Sequence, residues 1–137
     1  MLDRMGRDEM HYKIAHINIP LFENKEEVLE AMKNINNPNF QDKDGRSYLH
    51  SACGAHSIEA IRILLDLGAD PNINDKDGFS PVTEALGRNN ENNPAILDLM
   101  LQYGLNLSKI ERDQTLKEWI EMFDDDELNE IVKKHCK

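Results

Sequence analysis

The chain has 137 residues, 39% hydrophobic and 31% charged, a mixture suited to one soluble domain with a real core. Its formal net charge of −10 disfavours direct binding to nucleic acid or an anionic membrane and would steer a basic partner, with service to solubility alone as the competing reading. No leader of charged, apolar and small residues opens the chain and no apolar run approaches about 18 residues, so neither a signal peptide nor a membrane span is expected.

A first helix is expected from roughly Asp8 to His16. A second follows, where Asn24 and Glu27 have capping-box spacing and Val28, Leu29, Met32 and Ile35 share one apolar face. Asn37-Pro38-Asn39 then leads the chain out, 33 positions before the similar Asp70-Pro71-Asn72.

Asp42-Lys43-Asp44-Gly45 is a turn sequence in which glycine supplies positive φ. Ser47 has the type of a helix N-cap, and the short helix after it carries small Ala52, as the next copy carries Ala85, where a neighbouring helix can approach closely. Ile58, Ile61, Leu64 and Leu65 give the next helix an apolar face, and Gly68 stops it. Asp75-Lys76-Asp77-Gly78 repeats the turn, with Gly78 again 33 positions after Gly45. Ser80-Pro81 puts proline at the first helical position, where its missing donor is harmless.

Three residues are inserted in this second copy, within Gly87-Arg88-Asn89-Asn90-Glu91-Asn92-Asn93. A longer surface loop there costs roughly a few tenths of a kcal/mol. Asn93-Pro94 is expected to cap and open a further helix with Ile96, Leu97, Met100 and Leu101 as its buried face. Leu116, Trp119, Ile120 and Phe123 then form an apolar helical stripe, read as core, with a docking surface for Trp119 and Phe123 as the competing reading. Asp124-Asp125-Asp126 breaks and recaps the chain. Leu128, Ile131 and Val132 mark a final helix with Lys133 and Lys134 at its dipole-favoured end.

A 33-residue period of turn, short helix, amphipathic helix and extended exit identifies a unit that cannot bury its apolar face alone and must stack on neighbours. Gly45 to Asp77 resembles the ankyrin repeat, notably in Leu49-His50-x-Ala52, Leu64-Leu65 and Gly68-Ala69-Asp70-x-Asn72. The resemblance implies an all-α repeat fold: a short ankyrin-repeat solenoid of about three repeats, the N-terminal one degenerate, with helical caps. The expected segments of this single domain are 1–41 (cap and degenerate repeat), 42–74 and 75–110 (repeats), and 111–137 (C-terminal cap). Thr83 stands where the family has a histidine that hydrogen-bonds within and between repeats, a loss on the order of 1 kcal/mol.

No residue set suggests catalysis. The acidic run from Asp124 to Glu127 lacks the alternating ligands and glycine of a calcium loop and is explained by a helix dipole. His11, His16, His50, His56 and His135 have no zinc-like spacing with cysteine, and His50 and His56 fit architectural roles. His135-Cys136 has no base held beside it, and there is no phosphate-cradling glycine loop or nucleophile elbow. Neither a cofactor nor a metal is therefore expected. Cys53 reads as a core residue and Cys136 as an exposed one. Both are expected as reduced thiols in the cytoplasm.

The expected function is non-enzymatic protein binding. Ankyrin proteins usually hold partners with their finger tips and the inner face of each first helix. The resemblance carries that role onto Lys43, Asp44, Arg46, Gly54 and Ala55, then onto Lys76, Asp77, Phe79, Gly87 and Arg88, with Tyr48 added where the family commonly has proline. Arg46 and Phe79 are of the types that dominate interface hot spots, although Phe79 packing on its neighbouring finger is the competing reading. Small size and acidity suggest an inhibitor or immunity-type protein, a monomer or 1:1 complex, neutralising a basic partner such as a nuclease toxin. A regulatory adaptor for a transcription or signalling protein is the alternative.

Overall fold

The computed structural model describes residues 2, 6–19 and 24–135. They form helices α1 (Glu9–Ala15), α2 (Lys25–Met32), α3 (Tyr48–Gly54), α4 (Ile58–Asp66), α5 (Pro81–Leu86) and α6 (Asn93–Gln102). A two-stranded hairpin, β1 (Ile110–Glu111) and β2 (Gln114–Thr115), and helices α7 (Leu116–Glu121) and α8 (Asp126–His135) complete them. Helices of six to ten residues are marginal by themselves, so packing must hold them. They pair as α1–α2, α3–α4, α5–α6 and α7–α8. The pairs stack so that α1, α3 and α5 form one row and α2, α4, α6 and α8 another.

Local chemistry starts most of the helices where expected. Asp8 caps α1 and Ser47 caps α3, each in a capping box closed by a histidine at the third helical position, His11 and His50. Asn24 accepts from Glu27 N at 3.2 Å and Asp125 from Leu128 N at 3.1 Å, so the acidic run does recap the chain. At α6 the expected cap shifts by one residue. Asn92 occupies the N-cap position and Asn93 the first helical one, with no side-chain cap bond. Their amides are committed elsewhere, Asn92 Nδ2 donating to the His56 carbonyl and Asn93 Nδ2 to that of Arg88, which knits the inserted loop to the turn before it.

The core runs through the whole stack. Leu49, Ala52, Ile61, Leu64, Val82, Ala85, Ile96, Leu97 and Met100 are fully buried, and the two alanines let first helices approach closely. Leu99 is buried and Leu101 only partly so, because α6 is covered by α4 on one side and α8 on another. The C-terminal stripe divides. Leu116 and Ile120 are core and Trp119 is half-buried, but Phe123 is 43% exposed, correcting its expected place in the core. Helix α7 ends at Glu121 and Asp124 turns to φ +50°, so Phe123 lies past the helix and leaves its face.

Two fingers precede α3 and α5 with the same geometry 33 residues apart. In each, an aspartate accepts two backbone N–H groups: Asp42 from Asp44 and Arg46 at 2.9 and 3.0 Å, Asp75 from Asp77 and Phe79 at 2.9 and 3.1 Å. The fingers are joined by Lys76 N donating to the Asp44 carbonyl at 2.8 Å. This close approach needs Gly45, at φ +77°, since a Cβ there would lie 2.9 Å from Lys76 N. No helix among the described residues is long and apolar enough to cross a membrane.

Candidate protein-interaction surface

Each junction between units is closed at the start of a first helix. His11 Nε2 donates to the Arg46 carbonyl at 3.3 Å, and His50 Nε2 donates to the Phe79 carbonyl at 3.1 Å. Ser47 N donates to His50 Nδ1 at 3.0 Å, so the bonds at both ring nitrogens fit the neutral imidazole. Burial holds His50 below the ordinary histidine value, against the opposing effect of the Phe79 carbonyl.

At the third junction Thr83 leaves no histidine, and Glu111 of β1 takes over. Its carboxylate, 0% exposed, accepts from Ser80 N at 2.9 Å and Thr83 Oγ1 at 2.8 Å, with Lys109 Nζ at 3.4 Å. Trp119 Nε1 donates to the Glu111 carbonyl at 3.0 Å, tying α7 to the hairpin. Neither the hairpin nor Glu111 was expected from the sequence, because the signal is a lone glutamate 28 residues from the threonine it completes.

The expected binding residues divide into three sets. Lys43, Asp44, Lys76 and Asp77 stand at the finger tips, where Lys76 Nζ and Asp44 Oδ1 pair at 2.8 Å. Arg46, Gly54 and Arg88 border a groove of about 260 Å³ along the inner face of α1, α3 and α5, together with Arg7, His16 and Glu84. Phe79, Thr83 and Gly87 line an adjoining depression of about 240 Å³ that shares Glu84 and Arg88 with it. Arg46 Nη1 donates to Glu84 Oε1. Burial alone would lower the guanidinium, but this partner keeps it above its usual value.

Phe79 is half-buried, edge-on to Trp119 with ring centroids 5.8 Å apart, and the Arg112 guanidinium lies 5.6 Å from its ring centre. Its packing is thus onto the C-terminal unit, while one side still borders the depression. Ala55 is partly covered, its carbonyl accepting from Asn18 Nδ2 at 2.7 Å.

Tyr48 is the correction. At 5% exposure it is buried between the first two units, its ring 4.6 Å from His11 and 6.0 Å from Phe40, and its hydroxyl donates to Asp8 Oδ2 at 2.5 Å. Burial would raise Asp8, but the bonds from Tyr48 and His11 outweigh it and hold the carboxyl below its ordinary value. Tyr48 therefore fastens α1 to α3 and is not presented to a partner.

Cys53 is fully buried in α3, and burial pushes its thiol well above the usual value. Cys136, and with it the His135-Cys136 pair, lies outside the described residues. His56 Nε2 donates to the Ala85 carbonyl at 2.8 Å, an architectural role. His135 Nε2 meets Asp98 Oδ1 at 2.7 Å, tying α8 to α6. Among the described residues no group of three potential metal ligands comes together.

Comparison with known proteins agrees with this architecture. Residues 17–111 match the family model for ankyrin repeats, in three copies, and the chain belongs to the ankyrin-repeat family. It is 38% identical over 66 residues to the transient receptor potential channel pyrexia of Drosophila melanogaster, covering 47% of this chain and 7% of that one. It is likewise 38% identical over 60 residues to an ankyrin repeat protein of fowlpox virus (strain NVSL), covering 44% and 10%. The chain thus spans a tenth or less of the length of these curated relatives. An ankyrin repeat domain from Acinetobacter baumannii AYE has the same fold, with a TM-score of 0.79 at 18% identity over 97% of this chain and 66% of that one. Ankyrin repeats in general are protein-binding modules, and the α7–α8 pair extends the three matched copies as a fourth layer.

Proposed function

We propose that this chain is a non-enzymatic module that binds one partner protein along the inner face of its first helices and occludes it. The observation that carries this reading is the continuous groove and depression bordered by Arg46, Arg88 and Phe79, on a wall that the core and the inter-unit bonds hold rigid. A preformed surface of this kind binds with little backbone rearrangement.

Within that reading we favour a cytoplasmic inhibitor or immunity-type protein in a 1:1 complex with a basic enzyme, because a net charge of −10 accelerates encounter with such a partner. Co-purification from the source cell tests it. An enzyme whose activity falls stoichiometrically on adding the chain supports inhibition. A non-enzymatic transcription or signalling partner supports the adaptor role instead. Arg46→Ala and Phe79→Ala are expected to weaken that complex by about tenfold or more, as interface hot spots do. Titration calorimetry measures this, and unchanged affinity with a lowered melting temperature would make both residues structural.

A further inference from the structure

The charges of the groove run opposite to those of the molecule. The chain has six arginines. Arg4 lies outside the described residues, and Arg62 belongs to the outer helix α4. Of the other four, Arg7, Arg46 and Arg88 border the groove, and Arg112 lies over the ring of Phe79, which lines the adjoining depression. Only two carboxylates line the same space, and both are engaged. Asp42 holds the amides of its own turn, and Glu84 is on Arg46. Arg88 is exposed and has no ion pair among those of the described residues. Acidic side chains gather elsewhere, at Glu26 and Glu27 on α2 and from Asp124 through Glu127 before and within α8.

Resting on the binding role proposed above, we propose that the groove takes an acidic segment of the partner, its carboxylates set on these arginines. Arginine suits the task, because its planar fork accepts a carboxylate through two parallel hydrogen bonds. Glu84 already occupies Arg46 as an internal carboxylate and marks the position that a partner's aspartate or glutamate shares or takes over. Phe79, which lines the depression with Glu84 and Arg88, offers apolar surface beside the charges. First helices about 8–10 Å apart set the groove across three units at roughly 20 Å, which an extended segment of about six residues spans. The net charge of −10 does not oppose this, since beyond about 8 Å it is screened at physiological salt and at contact the arginines are the nearest charges. A basic domain carrying one acidic strip satisfies both fields.

The test is selection of a random 12-residue peptide library displayed on phage against the immobilised full chain, followed by affinity measurements on the enriched peptides. Enriched peptides are expected to be net negative. Arg88→Gln should weaken them roughly tenfold, the worth of one charge-assisted hydrogen bond. Glu84→Gln, which frees Arg46, should tighten them about threefold, with melting temperatures of both variants near that of the parent. Enrichment of basic peptides, acidic peptides indifferent to Arg88→Gln, or no enrichment at all would each overturn the proposal. The binding role itself fails separately, if no partner protein forms a stoichiometric complex with the intact chain.

Discussion

His11, His50 and Glu111 stand at three successive junctions of the stack and meet one requirement: a polar group at the start of a first helix must find a partner in the next unit. His50 does so as a neutral ring, with Nδ1 accepting and Nε2 donating. Protonation removes the acceptor for Ser47 N. The sign of the pH effect follows from burial holding its folded-state value below the ordinary 6.5. The unfolded chain binds more protons in that window, so this contribution is full above pH 6.5 and is lost as pH falls through it. Melting curves between pH 8 and 5 should show that loss, and His50→Gln should flatten it while lowering stability throughout. Glu111→Ala should cost about 3 kcal/mol, because it leaves Ser80 N buried without an acceptor and Lys109 without its carboxylate. Urea unfolding followed by fluorescence of Trp119, the single tryptophan, measures it directly.

At the scale of elements, the fingers and the short helices depend on one another. The two turns have the same sequence pattern, yet their glycines carry different burdens. Gly78 at φ +87° faces only Arg112 at 3.6 Å, whereas Gly45 also lies against the backbone of the following finger. Gly78→Val should therefore cost about 1–2 kcal/mol for the backbone conformation alone. Gly45→Val should cost more, because the bond from Lys76 N to the Asp44 carbonyl must also give way. Chemical denaturation of the two variants side by side separates the contributions, and equal losses would show that finger-to-finger packing contributes little. The last pair of helices is attached differently, through hairpin β1–β2 and its buried glutamate.

Across the whole molecule, charge acts at two ranges. The surplus of acidic residues sets the distant field, and Arg7, Arg46 and Arg88 set the field at the groove. If the partner is basic overall, association should slow steeply with added salt while dissociation changes less, which stopped-flow mixing at several ionic strengths measures. An association rate that rises with salt would mark an acidic partner and remove the inhibitor reading drawn from net charge.

Much of the architecture was legible in the chain itself. The 33-residue period, the Asp-Lys-Asp-Gly turns, the caps at Ser47 and Asn24 and the apolar face of α4 are local or periodic features, and local chemistry is enough to produce them. Asp8 to His16 was legible as a helix. Its capping box and its histidine bridge to the next unit were not, because His11 and His50 lie 39 positions apart and fall outside the period. Tyr48 joined the expected binding set because it stands where the family commonly has proline, and it is buried because α1 covers it. Phe123 kept the helical spacing but not the helix. The arginines of the groove lie up to 81 positions apart in sequence, and only the stacking of first helices brings them onto one wall. By itself the sequence determined the repeating unit, since each unit's turns and faces are set within some thirty residues. The tertiary structure alone decided which side chains close the junctions and which face outward, because those depend on partners that the chain reaches only by folding.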